Sequence, residues 1–194
     1  MTIARALFIK LMHQYNQFAY RMTLLEIQKL AYFLQEAGEP LKLKYDAGIY
    51  GPYAPNLNKV LEALEGHYTQ GYGDTQKPDV EIELLPNAVD KADEFLSEHK
   101  GKYLLLEKVA DLIEGFETPY GMELLSSVHW VARRDSVPAR TPEEATQKMH
   151  QWNERKQRMF RDEHICIAWK RLQEKGWISE AGARLSLLFL SRKR

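Results

Sequence analysis

The stretch TLLEIQKLAYFLQEAG, residues 23–38, decides how the chain is read. Thr23 stands as an N-cap with Glu26 three residues on, the capping-box spacing. Leu24, Ile27, Leu30, Ala31 and Leu34 recur every three or four residues, which predicts an amphipathic helix. Gly38 suits its C-cap, and Pro40 blocks continuation.

Working outward, TIARALFIKLMHQYNQFA at residues 2–19 places Ile3, Leu7, Leu11, Tyr15 and Phe18 on one helical stripe, beside Ala4, Phe8 and Met12. Downstream, LKLKYDAGIY at residues 41–50 alternates at first and predicts a short strand or extended segment, broken at Gly51-Pro52. Pro55 fits the first turn of a helix whose stripe is Leu57, Val60, Leu61 and Leu64, ended by Gly66. YTQGY (68–72) and VEIELL (80–85) predict a small hairpin. Helical stripes follow in residues 87–99 and 102–116. Thr118-Pro119 opens another helix, and Thr141-Pro142 with Glu144 opens a further one over residues 141–160. HICIAWKRLQEKGWIS, from residue 164, is a last clear helix, stopped by Gly176. The tail ARLSLLFLSRKR fits neither pattern cleanly. The fold class expected is mainly α with a small β-sheet (α+β): seven or eight helices around one core, with strands at about 41–85. The chain is expected to be a single domain, 1–194, with possible sub-lobes 1–137 and 138–194 divided near Pro138.

The chain has 194 residues, ample for a core, and 27 basic residues match 27 acidic ones. A neutral total argues against a dedicated nucleic-acid binder. The single cysteine, Cys166, permits no internal disulfide and suits a reducing, cytoplasmic setting. Flanked by Ile165 and Ile167 on a helix, it is expected to be a small buried hydrophobe. No apolar run reaches the roughly 18 residues that span a bilayer. There is no phosphate-binding P-loop, no dinucleotide fingerprint, no nucleophile elbow and no zinc-helix motif. His13, His67, His99, His129, His150 and His164 stand singly. No catalytic, cofactor or metal residues are therefore assigned.

Charge is unevenly placed. Asp74, Asp79, Glu81, Glu83, Asp90, Asp93, Glu94 and Glu98 face only Lys77 and Lys91 over residues 74–98, whereas the segment from Arg155 to Arg194 is strongly basic. Glu81 and Glu83 fall on one strand face, where paired carboxylates can be acid and base or a solvated surface. An acidic surface attracts a basic partner. Tyr50, Tyr53, Tyr68 and Tyr72 sit in or beside glycine-rich turns, as interface anchors or as lids on the core.

The run from Glu26 to Asp74, EIQKLAYFLQEAGEPLKLKYDAGIYGPYAPNLNKVLEALEGHYTQGYGD, resembles the C-terminal region of DarG antitoxins, from DarT–DarG toxin–antitoxin systems. GFETPYGMELLSSVHWVA (115–132) and HICIAWKRLQEKGWI (164–178) are similar to the same region. QKLAYFLQEAGEPL followed by YGP also resembles the broader Panacea antitoxin domain. The resemblance implies a binding domain that blocks a DarT-like toxin, an ADP-ribosyltransferase acting on single-stranded DNA, by mimicking DNA. It also implies an ADP-ribose-removing macrodomain preceding this region in the full-length protein. The expectation is then a non-enzymatic antitoxin with Tyr50, Tyr53, Asn56, Tyr72 and Asp74 as toxin contacts. Asp79, Glu81 and Glu83 would supply negative field. No cofactor, membrane contact or direct nucleic-acid contact is expected. The alternative is a nucleic-acid-binding module built on the basic C-terminal helices, with Trp152, Trp169 and Trp177 among Arg and Lys. A third reading is an enzyme with a cryptic pocket.

Overall fold

The computed structural model describes residues 1–18, 21–73 and 77–179. The chain divides into two compact units, Met1–Ser126 and Ser127–Arg194. Helix dominates, with two small antiparallel strand pairs.

In the first unit, α1 (Ile3–Asn16) packs on α2 (Leu24–Ala37), α4 (Ala88–Ser97) and α5 (Tyr103–Ile113). Asn58–Leu64 forms α3, entered through a 3-10 turn at Pro55–Leu57. The first unit ends within α6 (Pro119–Arg133). The core is Leu7, Leu11, Tyr15, Ile27, Leu30, Phe33, Leu34, Leu61, Leu96, Leu106 and Leu112, all buried.

Helix α2 is buried far beyond the stripe expected of it. Glu26, Gln28, Lys29, Tyr32 and Phe33 are buried together with the apolar positions. Burying such groups costs free energy unless each finds a partner, and the partners are local. Thr23 N and Oγ1 both donate to Glu26 Oε2, at 2.7 and 2.9 Å, and the Tyr15 hydroxyl donates to Glu26 Oε1. Lys29 Nζ donates to Pro52 O at 2.6 Å. Gln28 accepts from Ala54 N at 3.0 Å and donates to Ala54 O at 3.2 Å. One helical heptad on, Gln35 does the same to Leu43, at 2.7 and 3.0 Å. The two glutamines thus pair with backbone as a neighbouring strand would.

Strand β1 (Asp46–Gly48) pairs with β2 (Gly51–Tyr53), Asp46 opposite Tyr53. Gly51-Pro52 therefore begins a second strand rather than only ending the first. Thr69–Gln70, β3, pairs with β4 (Glu83–Leu84), within the hairpin expected there.

In the second unit, α7 (Pro142–Trp152) packs on α8 (Glu154–Met159) and α9 (Asp162–Glu174). Thr141 caps α7, its Oγ1 accepting from Glu144 N at 3.2 Å. The single helix expected over 141–160 is broken at Asn153. That residue is extended (φ −165°, ψ 161°), and its side chain caps α8 by accepting from Lys156 N at 2.8 Å. Cys166 is exposed, which corrects the expectation of a buried thiol. The tail ARLSLLFLSRKR lies outside the described residues. Among the described residues no helix is long and apolar enough to cross a membrane.

Candidate functional site

Residues 78–83 run along the start of α2. Leu25 N donates to Pro78 O at 3.0 Å, Leu24 N to Val80 O at 2.9 Å, and Ile82 N to Met22 O at 3.0 Å. First-turn amides of the helix, which have no partner within it, are met by this segment. The segment contributes to two hollows.

The first hollow, about 190 Å³, is lined by Leu24, Leu25, Ile49, Tyr50, Tyr53 and Pro78, with Gln28 and Lys29 from α2. Both tyrosines are half-buried and Ile49 is 65% exposed. Its wall is the β1–β2 hairpin, held by Lys29 on Pro52 and Gln28 on Ala54. An aromatic, largely apolar hollow with a few polar groups suits a flat ring.

The second hollow, about 330 Å³, is polar and is lined by Gln70, Gly71, Glu81 and Glu83. Gln70 Nε2 donates to Glu83 Oε2 at 2.9 Å. Glu65 organises the opposing loop: Oε1 accepts from Gly71 N at 2.9 Å and Oε2 from Tyr72 N at 3.4 Å. Gly71 has φ +101°, and a Cβ there would lie 2.4 Å from Glu81 O. Only glycine lets the two segments approach this closely.

The residues singled out from sequence separate into groups. Tyr50 and Tyr53 line the first hollow, and Glu81 and Glu83 the second. Asp79 is exposed on the segment between. Asn56 braces the chain before β1: its Oδ1 accepts from Lys44 N at 3.0 Å and its Nδ2 donates to Lys42 O at 3.1 Å. Tyr72 is 2% exposed and packs in the core, so it cannot anchor a partner. Asp74 lies outside the described residues. The sequence reading missed Gln28 and Lys29; the signal was two polar residues inside an otherwise apolar helical run.

The basic C-terminal module also loses its platform. Trp169 and Trp177 are buried. Lys156 is buried too, with Nζ donating to Ser127 Oγ at 2.9 Å and lying 4.8 Å from the Trp152 ring centroid. Side chains so placed cannot stack on bases or meet phosphates. His129, also buried, sits edge-on to Trp177, and burial followed by the nearby Arg133 and Arg134 charges lowers its pKa to about 3.

No family model matches the chain. It is 43% identical over 176 residues, 91% of its length, to a DNA ADP-ribosyl glycohydrolase of Thermus aquaticus. It is 35% identical over 190 residues to proteins of the same name from Mycobacterium bovis and Mycobacterium tuberculosis. The chain spans about half the length of these relatives, 48% of the first and 53% of the others. Their name is that of an enzyme that removes ADP-ribose from DNA. It overturns the reading of the chain as a Panacea-like, non-enzymatic antitoxin domain that blocks a toxin by DNA mimicry. That reading came from the resemblance of residues 26–74, 115–132 and 164–178 to the C-terminal region of DarG antitoxins, with the missing motifs only in agreement.

Proposed function

We propose that this chain takes part in removing ADP-ribose from DNA and that its contribution lies along residues 78–83. The observation that carries this is the 43% identity, across 91% of the chain, to a DNA ADP-ribosyl glycohydrolase. Glycosidic hydrolysis is commonly run by two carboxyl groups, one protonating the leaving group and one either deprotonating the attacking water or itself attacking the sugar carbon. Glu81 and Glu83 both line the polar hollow, on one extended segment with Cα atoms about 6.5–7 Å apart. Gln70 holds Glu83, which leaves Glu81 the better placed to exchange a proton. Tyr50 and Tyr53 offer faces on which the modified base stacks, at about 1–3 kcal/mol per base. A cytoplasmic setting accords with the lone thiol.

The test is binding and turnover on one substrate, an ADP-ribosylated oligonucleotide beside its unmodified twin. Preferential binding of the modified strand, with release of ADP-ribose, is expected. Tyr50→Ala should weaken that binding about tenfold. Equal, negligible binding of both strands together with no release would overturn the proposal.

A further inference from the structure

We infer that Glu65 is the positioning residue of the polar hollow: it holds the loop that packs against Glu81, and through that loop it sets where the Glu81 and Glu83 carboxyl groups stand. The inference rests on the proposal for that pair given above. Glu65 closes α3, its own N–H donating to Leu61 O at 2.9 Å, and Leu61 and Leu64 beside it are buried. The carboxylate therefore springs from a fixed post. A negative charge is disfavoured at a helix C-terminus, and here four donors offset that cost. Oε1 accepts from Gly71 N at 2.9 Å and Gly73 N at 3.5 Å, and Oε2 from Tyr72 N at 3.4 Å and Thr69 Oγ1 at 3.5 Å. Only the Gly71 bond is short; the others are long and weaker.

Gly71 is also the residue that touches Glu81. The β3–β4 ladder ends at Gln70 opposite Glu83, and a ladder this short fixes little by itself. Glu81 lies two residues past that end. There the two backbones are so close that a Cβ on Gly71 would stand 2.4 Å from Glu81 O. On its other side the segment is fastened to the start of α2, through Leu24 N on Val80 O and Ile82 N on Met22 O. Glu81 is thus gripped between two supports, and the Glu65–Gly71 bond secures the one that lines the hollow. Gln70, next to Gly71 in the chain, donates to Glu83 Oε2 at 2.9 Å, so the same bond steadies both carboxyl groups. The hollow is lined by Gln70, Gly71, Glu81 and Glu83, so Glu65 acts through Gly71 and not on substrate. A group that transfers a proton must stand within hydrogen-bond reach of it, and a misplacement of about 1 Å costs on the order of a hundredfold in rate.

The test compares wild type with Glu65→Ala and Glu65→Gln on an ADP-ribosylated oligonucleotide, well below the melting temperature of each. Glu65→Ala should lower kcat about ten- to hundredfold. KM and binding of the modified strand should change little, because Tyr50 and Tyr53 line the other hollow. Glu65→Gln keeps an oxygen for Gly71 N and should recover most of kcat. A general loss of folding would produce neither that split nor that rescue. Magnetic resonance gives a readout apart from turnover: in Glu65→Ala the Gly71 amide should exchange faster, and the Glu81 amide and the Gln70 side-chain amide should shift. Unmoved Glu81 and Gln70 resonances in Glu65→Ala would overturn the inference whatever the activity, as would an unchanged kcat. A wild type that releases no ADP-ribose overturns instead the proposal for Glu81 and Glu83, and this inference with it.

Discussion

Gln28, Lys29 and Gln35 explain why a helix carries polar groups into a core. Each satisfies backbone of residues 43–54, which has few strand partners of its own. Gln28→Ala leaves Ala54 N unmet in a buried place while Ala54 O keeps the Leu57 N–H, so it should cost about 1–3 kcal/mol. Gln35→Ala, at a part-buried site, should cost roughly half as much. Denaturant midpoints at constant slope check both; equal and negligible losses would show that water replaces the amides. These roles were not legible in the sequence. A glutamine inside an apolar run marks a polar need, but which backbone it meets depends on a hairpin 26 residues away from Gln28. The bracing role of Asn56 was hidden for the same reason: its amide meets Lys42 and Lys44 backbone more than ten residues away.

At the scale of elements, caps were the most legible feature. Thr23, Gly38, Pro55 and Thr141 all mark the ends they were read to mark. The break at Asn153 was not, because helical periodicity continues through it while the chain turns extended for one residue. Asn153→Ala removes the α8 cap and should cost about 1 kcal/mol, a melting shift of a few degrees by calorimetry. The β3–β4 hairpin depends on Gly71. Gly71→Ala forces a Cβ to 2.4 Å from Glu81 O at a positive φ, so about 1–3 kcal/mol of strain is expected. It should also displace Glu81, lowering any turnover by more than the stability loss accounts for. A variant that melts early yet turns over normally would detach the hollow from function.

For the whole molecule, the fold class was legible because helical stripes and caps are local. The placement of the candidate residues was not, because Tyr50 and Tyr53 line one hollow and Glu81 and Glu83 another, and both hollows depend on the segment laid along α2. Stability should follow pH through His129. Its folded pKa of about 3 lies below the ordinary histidine value of 6.5, so the unfolded state takes up the proton first. The stabilisation is full above about pH 6.5 and is lost as pH falls toward 3, near 2 kcal/mol between pH 7 and 5. Melting in that range should drop, and His129→Gln should flatten the dependence. The central claim is that the chain engages ADP-ribosylated DNA with Glu81 and Glu83 as its proton-handling pair. Release of ADP-ribose from modified DNA, wild type against Glu81→Gln with Glu83→Gln, tests it most directly. Loss of about a hundredfold or more in rate with modified-strand binding retained is the predicted result; an undiminished rate in the double variant, or no release by the wild type, would contradict it.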